Sequence, residues 1–367
     1  MKKKHIISLV VVAAILGALV YFQFRSWRTF DWAKFRHYTA GVSLWHIGAG
    51  VGLIYLAYVL RAIRWAIFLK PTAPTSVRRL IAPQIIGFAA LGLFGRAGEF
   101  ARPYLIARKE KLTFTSQLAV WTVERFFDLG TVLVLMLIFL IFKGGEKVKL
   151  LEQGLQSGFL GLLHNAGHKL PMVIAALFVF ALLYFIGRRA SGRAAHAVRA
   201  KLVAFKEGFN TIHDFGSLVQ LVVVSLAMWL MIAGAYIEVL HAYPPVQVTA
   251  ADGVMHTASM QGMNLEDVLI VMGCSMAGSI IQLPGGVGGS QLAVISILQS
   301  HLFNGKPTYI TPELAVSCGI MLWLVTYMSV IPAGVLLARY EKISFLQLSE
   351  ESTQEEAEVE AEAVRTH

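Results

Sequence analysis

The sequence predicts an all-α polytopic membrane protein of about six spanning helices plus two re-entrant helical hairpins in an inverted-repeat arrangement. Three observations carry that prediction. Apolar runs of 18 or more residues recur along the 367-residue chain, and such runs are long enough for helices that cross a bilayer. Hydrophobic residues make up 56% of the chain and charged ones only 15%, where soluble domains carry roughly 25% charged. Two glycine- and proline-broken stretches lie between the long runs and oppose each other in orientation, the mark of an inverted repeat. A transmembrane β-barrel would show alternating segments of ~10 residues, and none is present.

In chain order, the first span is His5 to about Phe24, preceded by Lys2, Lys3 and Lys4. It has no clear small-residue cleavage site, so it is expected to be retained rather than removed as a signal peptide. The second span runs from about Ser43 to Leu69 and ends at Pro71 and Pro74. From Leu80 to Phe94 the sequence is apolar for only about 15 residues, or ~22 Å of helix against a ~30 Å hydrocarbon core. Leu80–Lys109 therefore reads as the first hairpin, turning at Gly95 and Gly98. Spans follow at about Ser116–Phe142, Leu170–Gly187 and Leu218–Leu240, with an Arg-rich interfacial helix after Gly187. Leu265–Phe303 is the second hairpin, broken at Pro284, Gly285, Gly286 and Gly288 within LPGGVGGSQ. Glu313–Ala338 is the last span.

Residues 1–342 thus form one transmembrane domain, with pseudo-repeat halves at about 43–142 and 216–338. Residues 343–367 form an acidic tail of low complexity, expected to be disordered. The Arg-rich connection after Gly187 belongs on the cytoplasmic side, and the Lys- and Arg-free loop 241–264 belongs outside. Both termini then face the cytoplasm. The cluster Arg25 to Arg36 falls outside, against the rule.

The formal net charge is +10. From Ser349 to His367 seven Glu against one Arg give −6, which leaves +16 on the remainder. These cations flank apolar segments, which fits anionic lipid headgroups better than nucleic acid. Cys274 and Cys318 lie in apolar segments and suggest neither a disulfide framework nor a zinc site. The histidines have no metal-ligand spacing, and there is no G-x-S-x-G. LPGGVGGSQ lacks the Lys of a nucleotide loop. No enzyme activity, cofactor or bound metal is expected.

The chain is organised around Gly92–Asp128, where Arg96, Glu99, Arg102, Glu124, Arg125 and Asp128 interrupt apolar sequence. Charge at membrane depth is costly unless it faces protein or a watery cavity. In GRAGEFARP, Pro103 fits the first turn of a returning helix that starts near Glu99. Its free N–H groups, with Arg96 and Arg102, suit a phosphate. Glu99 pairs with an arginine or meets a cationic headgroup. The other account of these residues is an ion-pair network that only holds the hairpin. In WTVERFFD, Trp121, Glu124, Arg125 and Asp128 share one helical stripe. That stripe is a fixed lock, a moving gate or a proton relay. Arg61 and Arg64 share a face and answer these acids, or Arg64 snorkels near its helix end. Gln291 offers an uncharged amide to a headgroup.

VLRAIRW, GRAGEFARPYL, VERFFD and LPGGVGGSQ, in that order, resemble the lysylphosphatidylglycerol synthase transmembrane-region family, a flippase-like domain, over roughly residues 5–340. The resemblance implies a multi-pass protein of a prokaryotic cytoplasmic membrane that moves a lipid between leaflets. It also implies that Arg61, Arg64, Arg96, Glu99, Arg102, Glu124, Arg125 and Asp128 fall on the family's characteristic polar positions. Two positions depart from it: Phe94 replaces a common Pro, and Gln291 a frequent Glu, which weakens the case for a cationic substrate. The soluble aminoacyl-transferase domain is lacking, so synthesis of lysyl-lipid is not expected.

The expected function is therefore lipid translocation through a polar midplane cleft, not driven by ATP through the chain's own motifs. The expected partners are membrane lipids with an anionic or phosphate-bearing headgroup. The alternative is a non-transporting lipid-binding or scaffold protein that serves an envelope-lipid synthase.

Overall fold

A computed structural model describes residues 30–135, 215–249, 255–279, 288–300, 309–345, 347–348 and 350–355, with Arg96 and Ala97 described by backbone alone. The expected spans at 5–24 and 170–187, the interfacial helix after Gly187, and Pro284, Gly285 and Gly286 lie outside the described residues.

Helix α1, Trp32–Ala40, is capped by Asp31, whose carboxylate accepts from the N–H groups of Ala33 and Lys34. It falls in what the sequence suggests is a polar connection. Helix α2 is Leu44–Leu69 and α3 is Val77–Phe94. A single 3₁₀ turn, Gly95–Gly98, leads into α4, Ala101–Glu110. Helix α5 occupies 114–135, and α6 is Phe215–His241. The second half continues with α7, Leu265–Gly278, and α8, Gly289–Leu298. It closes with α9, Pro312–Trp323, a π-helical segment at Leu324–Met328, and α10, Val330–Tyr340.

Among the described residues, four helical stretches are long and apolar enough to cross a membrane: Leu44–Leu69, Val77–Phe94, Phe215–His241 and Pro312–Tyr340. The third of the chain's apolar runs is thus longer than the sequence suggests. Helix α3 begins three residues before Leu80 and reaches about 27 Å at 1.5 Å per residue. Shortness alone therefore does not make it re-entrant. What the geometry does show is a helix, a turn and a helix folded back on itself. At the open end the Arg79 Nε donates to Glu110 Oε1 at 2.9 Å. Midway, a Cβ on Gly87 would lie 2.5 Å from the Arg102 Cβ. At the turn, a Cβ on Gly98 would overlap the Ala90 carbonyl, and Gly95 adopts φ 62°. The returning helix starts at Ala101, near Glu99 as expected, and Pro103 sits in its first turn.

The second pair is built the same way. Asn264 and Asp267 form a capping box at the start of α7. A Cβ on Gly278 would collide with the backbone of Gly289, so α7 and α8 meet at their turn ends. Gly288 enters α8 with φ 145°.

Two features overturn expectations. Residues 246–258 are not a plain loop: Val246–Thr249 (β1) pairs antiparallel with Met255–Ala258 (β2), with Val246 opposite Ala258 and Thr249 opposite Met255. The tail is not wholly disordered. Leu348 is buried with Ile86, Ala90, Ala101, Leu105 and Ala338, and Ser352 is buried as well. Glu351 accepts from the Tyr104 hydroxyl at 2.8 Å, and its Oε2 lies 3.6 Å from Arg108 NH1. Apolar burial and ion pairing on α4 outweigh the tail's unfavourable composition as far as 355; residues 356–367 lie outside the described residues.

The largest core cluster joins α2, α6, α7 and α9 around Met228, Tyr236, Val268, Leu314 and Leu322. A second lies between α2, α3, α4, α5 and α6 around Trp65, Phe68, Leu80, Ile106 and Val123. These two cores fix the walls of the space between the hairpins. The hairpin turn gives a direct test: Gly98→Ala should lower stability by about 1–3 kcal/mol through overpacking. Gly130→Ala, with nothing within 4 Å of its new Cβ, should be neutral or stabilising. Thermal unfolding in detergent measures both.

Candidate functional site

The charged residues singled out in the sequence separate into two layers. The inner layer is a buried lock. Glu124, on α5, is fully buried. Its Oε1 accepts from Arg64 at 2.5 Å and from Arg102 at 3.1 Å, and its Oε2 accepts from the other terminal nitrogen of Arg102. Asp128, one helical turn on, accepts from Arg64 at 2.7 Å and from the Trp229 indole at 3.3 Å through the same Oδ1. Arg64 also donates to the Ser225 hydroxyl at 3.2 Å. Arg102 donates to Gln84 at 3.1 Å and lies over the rings of Trp65 and Phe88, 4.7 and 5.0 Å from their centroids. Side chains from α2, α3, α4, α5 and α6 therefore converge on two carboxylates.

The snorkelling alternative for Arg64 is overturned. Its guanidinium is fully buried, because Glu124 and Asp128 lie within its reach and membrane-depth water does not. The lock within WTVERFFD also draws its cations from elsewhere. Arg125 approaches Glu124 and Asp128 only to 3.9 Å and lies over Trp121, 5.6 Å from the ring centroid. Neighbouring residues on one helix diverge, whereas arginines on facing helices point at the stripe.

The outer layer faces a cavity of about 320 Å³ between the two hairpins. Arg61, Glu99, Arg125, Asp128 and Gln291 line it, with Tyr58, Phe88, Trp229, Ser275, Ser279 and Ser290. Arg61 NH1 stays 3.8 Å from Glu124 and 3.9 Å from Asp128, beyond hydrogen-bonding distance, and no hydrogen-bond partner satisfies it among the described residues. A buried donor left in that state costs free energy. Glu99 has no arginine partner among the described residues. Arg64, Arg102 and Glu124 stand behind the wall, and Trp121 supports Arg125. The Arg96 side chain lies outside the described residues. Of the turn residues, Gly95, Gly98 and Gly288 shape the hairpin ends.

Several residues of the lock and the cavity escape the sequence reading. Gln84 and Ser225 are polar residues inside apolar runs, a signal open to detection. Tyr58, Trp229, Ser275, Ser279 and Ser290 look like ordinary components of membrane helices. Thr326 and Tyr327 reach the cavity from the π-helical segment, an irregularity that often accompanies function and leaves no mark in the sequence.

Arg64, Arg102, Glu124 and Asp128, buried among apolar helices, mark a polytopic helical membrane protein with an ionic centre beside a cavity of mixed polar and apolar lining. The chain belongs to the lysylphosphatidylglycerol synthase TM region family, which matches residues 6–334. Membership suggests a membrane protein that handles lipid. No curated protein and no solved structure matches the chain significantly.

Removing one partner from a buried ionic pair is expected to cost about 3–5 kcal/mol. Arg64→Met and Asp128→Leu should each lower stability by that order. The double variant should recover about 1–3 kcal/mol relative to the sum. A double-mutant cycle on thermal unfolding in detergent tests the pairing.

Proposed function

We propose that the protein is a lipid translocase, in which the headgroup of a phosphate-bearing lipid crosses through the inter-hairpin cavity while its acyl chains stay in the bilayer. In this proposal the two hairpins enter the membrane from opposite sides and meet near its midplane, as halves of an inverted repeat. The observation that carries it is the placement of Arg61 and Arg125 on the cavity wall while Arg64 and Arg102 neutralise the carboxylates behind them. An unaided charge at the bilayer centre costs at least ~2.5–3.5 kcal/mol. Two cations held in position offset that cost for a phosphate, and guanidinium forks match its geometry.

Glu124 and Asp128 already accept from arginines, so the lock is a scaffold in this proposal rather than a proton relay. Glu99 is then the open carboxylate of the cavity. The chain acts as a transporter and not an enzyme, in a prokaryotic cytoplasmic membrane with both termini inside, and membrane lipids are its partners. Family membership supports the lipid as cargo.

The test is leaflet exchange of a fluorescent phospholipid in proteoliposomes, read by dithionite quenching. Wild-type protein should speed exchange well above protein-free vesicles. The Arg61→Gln/Arg125→Gln variant should fall to the protein-free rate while remaining folded. Exchange by this variant at the wild-type rate would remove the proposal. Wild-type protein that binds lipid yet gives no exchange would favour the non-transporting, scaffold-like alternative.

A further inference from the structure

The two walls of the cavity differ in chemistry. The wall from the first half carries Arg61, Arg125, Glu99 and Asp128. The wall from the second half carries Ser275, Ser279, Ser290 and Gln291, without a charged side chain among the described lining residues. We infer that the cavity is built for a lipid phosphodiester whose headgroup is uncharged and hydroxyl-bearing, of the polyol or sugar class. This inference rests on the lipid-binding reading above and deepens it.

Charge comes first. Arg61, Arg64, Arg102 and Arg125 stand against Glu124, Asp128 and Glu99. Arg64 and Arg102 are engaged by the carboxylates, while Arg61 and Arg125 are the cations on the wall. A phosphodiester, at −1, is a partner for them. A zwitterionic ethanolamine headgroup would bring its own ammonium beside them. An aminoacylated headgroup would add cations beside Arg61 and Arg125. At this depth an unmatched charge is expensive.

Hydrogen bonding gives the second argument, independent of the first. Ser279 donates its hydroxyl to the Met276 carbonyl at 2.6 Å, and Ser290 donates to Gln291 Oε1 at 3.1 Å. A hydroxyl whose proton is engaged still has acceptor lone pairs. Ser275 accepts from the Tyr236 hydroxyl at 3.1 Å, which leaves its own proton to donate. The second wall therefore presents both acceptors and a donor, and its partner in kind is a group with several hydroxyls. Glu99 extends the acceptor set across the cavity. The rings of Tyr58 and Trp229 border the same space and supply flat apolar faces with a polar edge. A volume of about 320 Å³ is at the small end for ligand pockets and suits a headgroup.

The test measures dissociation constants of short-chain lipids for the full chain in detergent, by native mass spectrometry. The ladder is phosphatidylinositol, phosphatidylglycerol, phosphatidylmethanol, phosphatidylethanolamine and lysylphosphatidylglycerol. Phosphatidylmethanol carries the same charge as the first two with no headgroup hydroxyl. Phosphatidylinositol and phosphatidylglycerol should bind about tenfold or more tighter than the other three, a difference of ~1.4 kcal/mol. In Ser279→Ala/Ser290→Ala, the advantage over phosphatidylmethanol should shrink to about twofold, with phosphatidylmethanol itself unchanged. Should the variant not fold, the wild-type ladder decides alone. Equal binding of phosphatidylmethanol and phosphatidylinositol overturns the inference and leaves an anion site standing. Equal or tighter binding of the ethanolamine or lysyl lipid also overturns it. Absence of binding by every lipid removes both this inference and the lipid-binding reading. Selective binding without leaflet exchange sustains this inference and removes translocation alone.

Discussion

The structure depends on Glu124 and Asp128 being held by arginines from other helices. Arg64 arrives from α2 and Arg102 from α4, and between them they donate to both carboxylates. Such a buried cluster is a weak source of net stability, because desolvation consumes much of its Coulombic gain. Its effect is positional. Arg102 meets Glu124 only if α4 folds back along α3, and that fold-back needs the bare Cα of Gly87 beneath Arg102. One ionic contact therefore ties the hairpin to α5, the helix that carries Arg125.

The second hairpin completes the space with no charged side chain among its described lining residues. Small residues let α7 and α8 approach closely at Gly278 and Gly289, and Gly319 admits Ile295 from α8. Small-residue contacts of this kind drive helix packing where apolar burial has little force. The π-helical segment after Trp323 turns Thr326 and Tyr327 towards the same cavity. An ionic wall thus faces a closely packed wall of serines and Gln291. The acidic segment that docks on α4 through Glu341, Leu348 and Glu351 braces the arm that carries Arg102.

Much of this was legible in the sequence because charge and glycine inside apolar runs are conspicuous. Arg61, Arg64, Arg102, Glu124 and Asp128 stand out on that ground, and the structure brings them together. Gly95 and Gly98 mark a turn that the structure contains. Partner choice was not legible. Arg125 is Glu124's neighbour in sequence, yet Arg64 and Arg102 are its close partners, since side chains on successive helical positions point apart. The β-hairpin at 246–258 was missed although Asp252-Gly253, a hairpin signal, lies between its strands. Its four-residue strands are too short to register by periodicity. The tail shows how composition misleads: seven glutamates mask Leu348, whose burial pins part of the segment. Serines on α7 and α8 carry no sequence signal because membrane helices use them for packing as well.

The central claim is that a headgroup phosphate is received between the hairpins, at membrane depth, by Arg61 and Arg125. Electron cryo-microscopy of the chain in lipid nanodiscs tests it most directly. Both hairpin turns are expected near mid-bilayer, with phosphate density within hydrogen-bonding distance of both guanidiniums. Helices α3 and α7 crossing the bilayer completely, with Arg61 and Arg125 at the level of one leaflet's headgroups, would contradict it.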